Sequence, residues 1–166
     1  MDTYCEQLVK IKKSFKHYLA VIGIWFAALI IAFLSLLFVR YLSAIIIVAV
    51  GYGAYYLCGF LSIEYEYIIT NGTFDIDIIY AKKSRKRIVS FDLSNVESIE
   101  KYNGDPIDKR KFKGVFIACN KNDEGVYKLV ISSDSGTTVA LISPDDRTKQ
   151  EIVRFVPKYI ANTAFK

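Results

Sequence analysis

Two long apolar runs dominate the first third of the chain. Between Tyr18 and Ile63 only Arg40 is charged, whereas from Glu64 onward apolar and polar residues alternate and charges are frequent. The apolar stretch far exceeds the about 7–15 residues of a signal-peptide core. As one helix it would extend ~66 Å at ~1.5 Å per residue, about twice the thickness of a bilayer core. Divided at Arg40-Tyr41 it yields two segments, 18–39 and 42–63, each meeting the ~20 residues that a crossing needs. The pattern therefore predicts a transmembrane helical hairpin over 18–63. Arg40 and Tyr41 form its turn, where a long cationic stem snorkels to water and a tyrosine ring suits the headgroup level. The string VGYG at Val50–Gly53 matches a potassium filter, but it falls inside the second segment with no re-entrant loop. Ala49 and Gly53 read instead as small residues that let helices approach closely.

Beyond the hairpin the period becomes two. Ile63, Tyr65, Tyr67 and Ile69 share one face and Glu64 and Glu66 the other; Asn71-Gly72 follows, then Phe74, Ile76 and Ile78 alternate again. Two alternating runs joined by Asn-Gly predict a β-hairpin. Further strands are expected at 87–92, 96–102 (with a bulge between Val96 and Ile99), 114–119, 126–133 and 137–142. The expected core includes Tyr65, Ile76, Phe91, Ile117, Leu129, Ile131, Leu141 and Phe155. The chain then reads as a helix, with Ser143 as N-cap, Pro144 as first helical residue and Asp146 at the capping-box spacing. Pro157 should kink or shorten that helix. In the tail 1–17, Leu8, Ile11, Phe15 and Leu19 recur at helical spacing among lysines, predicting an interfacial helix; a frayed basic leader is the alternative.

Seven antiparallel strands followed by one amphipathic helix describe a pleckstrin-homology-like (PH-like) barrel. The stretch YEYIITNGTFDIDIIYAKKSRKRIVSFDLSNVESIEKY resembles the first half of bacterial PH-like domains, with a Tyr-x-Ile-Thr strand, a turn, a basic bend and a run through Phe91, Leu93 and Val96. The resemblance covers about 63–143 well and the helix loosely. The whole plan resembles small two-span membrane proteins of Gram-positive bacteria. The resemblance implies an α+β fold and membrane anchoring, and it brings no catalytic residues. The expected organisation is a basic cytoplasmic tail (1–17), the hairpin (18–39 and 42–63) and a cytoplasmic PH-like domain (64–166).

The apolar fraction of 52% reflects the hairpin. The net charge of +5 does not point to nucleic acid, because charges beyond residue 63 nearly balance and the aromatics alternate into the core. Cys5, Cys58 and Cys119 are scattered and odd in number, which fits a reducing compartment and supplies no metal spacing. His17 is isolated. No nucleophile with a base and no glycine-rich loop opening a helix occurs, so neither an enzyme nor a cofactor is expected. Glu64, Glu66, Asp75 and Asp77 carry enough oxygen for a divalent cation. The plainer reading, a solvated face paired with nearby lysines and arginines, is preferred, and no metal is expected.

Positive charge is segregated. Lys82, Lys83, Arg85, Lys86 and Arg87 form one cluster, and Lys109, Arg110, Lys111 and Lys113 another. In an antiparallel meander leaving the bilayer, the loops carrying both clusters return to the membrane-proximal end. They are then expected as one lipid-facing basic patch, with ~1 kcal/mol of attraction per residue near an anionic surface. Lys10, Lys12, Lys13 and Lys16 place both termini in the cytoplasm by the positive-inside rule. The expected function is a membrane-anchored scaffold that docks a protein partner or self-associates at the inner face of the cell membrane. Recognition of anionic lipid headgroups is the alternative, and a small transporter or channel subunit is a third reading.

Overall fold

The computed structural model describes residues 3–39, 41–121, 123–133 and 136–165. The chain forms two compact units: a helical one of Lys12–Ile63 with Tyr80–Ser84, and a β-rich one of Met1–Ile11, Glu64–Ile79 and Arg85–Lys166.

The helical unit contains α1 (Phe15–Phe38) and α2 (Ser43–Phe60). Both are long and apolar enough to cross a membrane, with mean hydropathies of 2.7 and 1.7. The helices meet through small residues, since Ala28 and Ser35 of α1 and Ser43 and Ala54 of α2 are the buried ones. The Ser35 hydroxyl is satisfied within its own helix, donating to the Ala32 carbonyl at 2.7 Å. Ala49 is exposed, and a Cβ placed on Gly53 would meet nothing within 4 Å, so the expected small pair does not form this contact; Ala54 does. Val50–Gly53 is continuous helix, which removes the filter reading. Arg40 lies outside the described residues, and Tyr41 is fully exposed.

Among the described residues there are eight strands rather than the seven expected. They are β1 (Tyr4–Lys10), β2 (Ile63–Thr70), β3 (Thr73–Tyr80), β4 (Ser84–Asp92), β5 (Val96–Lys101), β6 (Gly114–Ile117), β7 (Tyr127–Ile131) and β8 (Thr138–Ile142). They form two four-stranded sheets, ordered β1-β2-β3-β4 and β5-β7-β8-β6, and the expected closed barrel is not formed. Asn71 and Gly72 both have positive φ, 49° and 91°, as the Asn-Gly hairpin requires. The bulge falls between Val96 and Ser98. Tyr67, Ile69, Phe74 and Ile76 of the first sheet pack against Leu129, Ile131, Ala140 and Ile142 of the second, with Leu93 and Val96 between. Helix α3 (Asp146–Phe155) adds Ile152 to this core, and after a break at Pro157 helix α4 (Lys158–Ala161) adds Ile160. Of the expected core, Ile76, Leu129, Ile131 and Leu141 are buried, while Tyr65, Phe91, Ile117 and Phe155 are half-buried.

Three expectations change here. The tail is not helical over Leu8 and Ile11: Tyr4–Lys10 pairs antiparallel with β2, from Tyr4 opposite Thr70 to Lys10 opposite Glu64. Cys5 and Val9 face the core beside Gln7, whose polarity masks the alternation. Gln7 is accommodated because its amide donates to the Ser143 carbonyl at 3.0 Å and accepts from the Asp145 N–H at 2.9 Å. Secondly, α3 is capped by Asp145 and not Ser143; the Asp145 carboxylate accepts from the Thr148 N–H at 2.7 Å. Ser143 is held instead by Gln7 and by Tyr67, whose hydroxyl accepts the Ser143 N–H at 3.1 Å and donates to the Ala118 carbonyl at 2.6 Å. Thirdly, β6 runs parallel to β8, so the second sheet is not a meander.

Candidate functional site

Among the described residues the outer strands are β1 and β4 in the first sheet and β5 and β6 in the second. The edges of β4 and β6 border one groove of about 490 Å³. Val89, Ser90, Phe91 and Asp92 all line it. Successive side chains of a strand point to opposite faces, so four consecutive residues reach one groove only through the backbone edge. Lys113, Gly114 and Phe116 form the opposite wall, and Asn95, Ser132 and Thr138 add polar groups. Gly114 belongs there for steric reasons, because a Cβ would lie 3.0 Å from the Phe116 ring. Lys113 is exposed, and its backbone N–H donates to the Thr137 carbonyl at 2.8 Å, extending the pairing of β6 with β8. Such a groove offers hydrogen-bonding backbone to an extended chain.

The structure divides the nine basic residues. Lys82 and Lys83 belong to the helical unit and the other seven to the β-rich unit. Because β5 is antiparallel to β7, β7 antiparallel to β8, and β6 parallel to β8, β5 and β6 run the same way. The link between them therefore crosses from one end of the second sheet to the other. It delivers Lys113 beside the C-terminal half of β4, whereas Arg85, Lys86 and Arg87 occupy its N-terminal half. The meander that would gather both clusters at one end is absent. Lys109, Arg110 and Lys111 form an exposed 3-10 turn whose Arg110 N–H is held by Asp108 at 3.1 Å.

Two of these cations are engaged. Arg85 pairs with Glu66 at 3.0 Å, and Arg87 bridges Asp75 at 2.9 Å and Asp77 at 3.1 Å. Glu66, Asp75 and Asp77 are thus paired with arginines, but the face is not solvated throughout: Glu66 is only 1% exposed. Burial raises the Glu66 carboxyl above its ordinary range, the neighbouring Glu6 adds to the rise, and Arg85 opposes it. Glu6 moves the other way, held down mainly by the hydrogen bond from the Tyr4 hydroxyl. Among the described residues no group of three or more His, Cys, Asp and Glu is placed to hold a metal ion. Burial pushes the Cys119 thiol up to about 11, which suits a packing role.

The groove was not legible in the sequence. Ser132 and Ser133 read only as the end of the strand expected over 126–133, and edge status is a property of strand order. No curated protein and no solved structure matches the chain. A family model does match, over residues 1–162, a span that takes in β1 and the two apolar helices after it. The chain belongs to the family described as Bacterial PH-like domain (DUF6106).

Proposed function

We propose that the chain is a membrane-anchored, non-catalytic binding module that docks an extended acidic segment of a protein partner at the cytoplasmic face of the cell membrane. The groove between β4 and β6 carries this reading. Outer strand edges bind an added strand through main-chain hydrogen bonds, and side-chain contacts supply selectivity. The charge that complements an acidic segment comes from Lys113 in the wall and from Lys109, Arg110 and Lys111 just before it. The pairing of β1 with β2 supports an even number of crossings, because the chain before the hairpin and the chain after it share one sheet. The lysines around the start of α1 then favour the cytoplasm by the positive-inside rule. The same plan is what the sequence's resemblance to small two-span proteins of Gram-positive bacteria implies.

The test is site-directed photo-crosslinking of the full chain in native membranes, with the photoreactive residue at Ser90 or, as control, at Lys158. A discrete protein adduct from Ser90, absent from Lys158 and lost on Lys113→Glu, is the expected result. Identical adducts from both positions would sink the docking reading. Adducts to lipid alone from Ser90 would favour the second reading, anionic lipid recognition, which the exposed Lys109–Lys111 turn also fits.

A further inference from the structure

The two hairpin turns of the first sheet solve one problem with different residues. The turn after β2 uses Asn71-Gly72, which accept positive φ readily. The turn after β3 passes through Ala81 and Lys82, with φ of 53° and 57°, where ordinary side chains are disfavoured. The second turn is held by contacts with the end of α2. The Ala81 N–H donates to the Ser62 carbonyl at 3.0 Å, and the Ala81 methyl lies 3.5 Å from the position that a Gly59 Cβ would take. Between turn and helix is a pocket of about 340 Å³. Tyr55, Tyr56, Phe60 and Tyr80 supply its aromatic wall, and Lys83 and Ser84 supply charge and a hydroxyl. Tyr56 and Phe60 meet edge to face, with centroids 4.8 Å apart.

We propose that this niche binds the headgroup of one anionic phospholipid, of the class that carries phosphate and hydroxyls but no ammonium. The inference rests on reading α2 as a membrane span and is independent of the β4–β6 groove. The end of an apolar span lies at the headgroup level, where tyrosines are favoured. Lys83 provides the cation for a phosphate, and Ser84 with the tyrosine hydroxyls provides uncharged donors. The ring faces accept the glycerol carbons and the first methylenes. A choline headgroup would bring its own cation towards Lys83, and like charges at short range oppose each other. The raised cost of the Ala81-Lys82 turn is thereby placed where it shapes a site.

The test is native mass spectrometry of the full chain released from nanodiscs containing phosphatidylglycerol and phosphatidylcholine in equal amounts. One phosphatidylglycerol should stay bound per chain, preferred about tenfold or more over phosphatidylcholine and persisting at about 0.5 M salt, where the Debye length is only a few ångströms. Lys83→Gln and Tyr56→Leu should each weaken retention about tenfold, and Lys158→Gln should leave it unchanged. Equal retention of both lipids, or loss of binding at high salt, would overturn the niche in favour of a diffuse charged surface. Displacement by soluble glycerol 3-phosphate at matched concentration would also overturn it, assigning the pocket to a free phosphate ester. A chain recovered in the soluble fraction without detergent would overturn the membrane reading itself. A membrane-embedded chain that holds no phosphatidylglycerol overturns the niche alone.

Discussion

Phe26 and Phe74 are the same residue in opposite surroundings. Phe26, on α1, is 64% exposed, and Phe74, on β3, is 0% exposed. The contrast runs through both units. The helical unit turns Trp25, Leu29, Phe33 and Leu37 outward and buries Ala28, Ser35, Ser43 and Ala54 at its single helix contact. The β-rich unit buries Phe74, Ile76, Leu93 and Leu129 and turns most of its charges outward, with Glu66 and Asp77 as buried exceptions. Apolar area removed from water contributes about 25 cal/mol per Å². The β-rich unit draws that contribution from its own core. The helical unit makes too little internal contact to do so, and its outward surface far exceeds the few hundred Å² that soluble monomers tolerate. Its two helices are long and apolar enough to cross a membrane, and in a hydrocarbon surrounding close packing of small residues is the natural helix contact.

The all-or-none way to break this comparison is topological. In a background without native cysteines, Tyr41→Cys and Glu124→Cys should react oppositely with an impermeant thiol reagent on intact cells. Tyr41→Cys is labelled from outside and Glu124→Cys only after lysis. Labelling of Glu124→Cys on intact cells would refute the orientation.

The next largest effect separates the two phenylalanines. Phe74→Ala should destabilise the β-rich unit by ~3–5 kcal/mol, the cost of an emptied aromatic site. Phe26→Ala should leave the unfolding of that unit unchanged. Phe91→Ala should fall between, because its ring is half-buried while packing 5.3 Å from that of Phe74. Hydrogen exchange of the full chain in detergent reads all three. Equal effects of Phe26→Ala and Phe74→Ala would dissolve the contrast between the units.

A smaller effect is expected at the strained turn. Lys82→Gly should stabilise the β3–β4 hairpin by about 1 kcal/mol, since glycine adopts positive φ without the Cβ penalty. Slower exchange at the ends of β3 and β4 is the readout. Faster exchange would mean that the lysine side chain contributes more than its backbone costs.

The smallest effect concerns the Glu6–Glu66 pair, where the two signs oppose each other. The Glu66 value is raised above the ordinary 4.5, so its contribution is full below 4.5 and lost as pH rises through the raised value. The Glu6 value is lowered, so its contribution is present above 4.5 and lost as pH falls. Glu66→Gln should therefore remove the part of the melting-temperature decline that begins as pH rises above 4.5. A profile unaltered by Glu66→Gln would show that the buried carboxyl does not hold the proton.

Legibility followed interaction range. The Asn71-Gly72 turn, the bulge after Val96 and the break at Pro157 are local, because neighbouring residues carry the backbone preference that makes them. The N-terminal strand is not local. Tyr4–Lys10 pairs with residues beyond an inserted hairpin, and Gln7 is acceptable inside only because Ser143 and Asp145 complete its hydrogen bonds. A domain cut at Glu64 would lack that strand. The cap of α3 was ambiguous for a related reason. Ser143 and Asp145 both have capping chemistry, and contacts of Ser143 with Gln7 and Tyr67 leave the cap to Asp145.

The amino-acid sequence by itself determined the two apolar helices, the alternating strands that follow and their PH-like character. Each is written in the spacing of apolar residues over a few turns or a few strand positions. Tertiary structure alone decided the order of strands within the sheets, hence which edges remain without a further strand and where Lys113 lies. It also decided that Glu66 is buried and that Ala81 and Lys82 carry a turn that glycine would make more easily. These depend on which distant segments come together, and pairing between distant strands is selected by the sum of core contacts, not by any local preference.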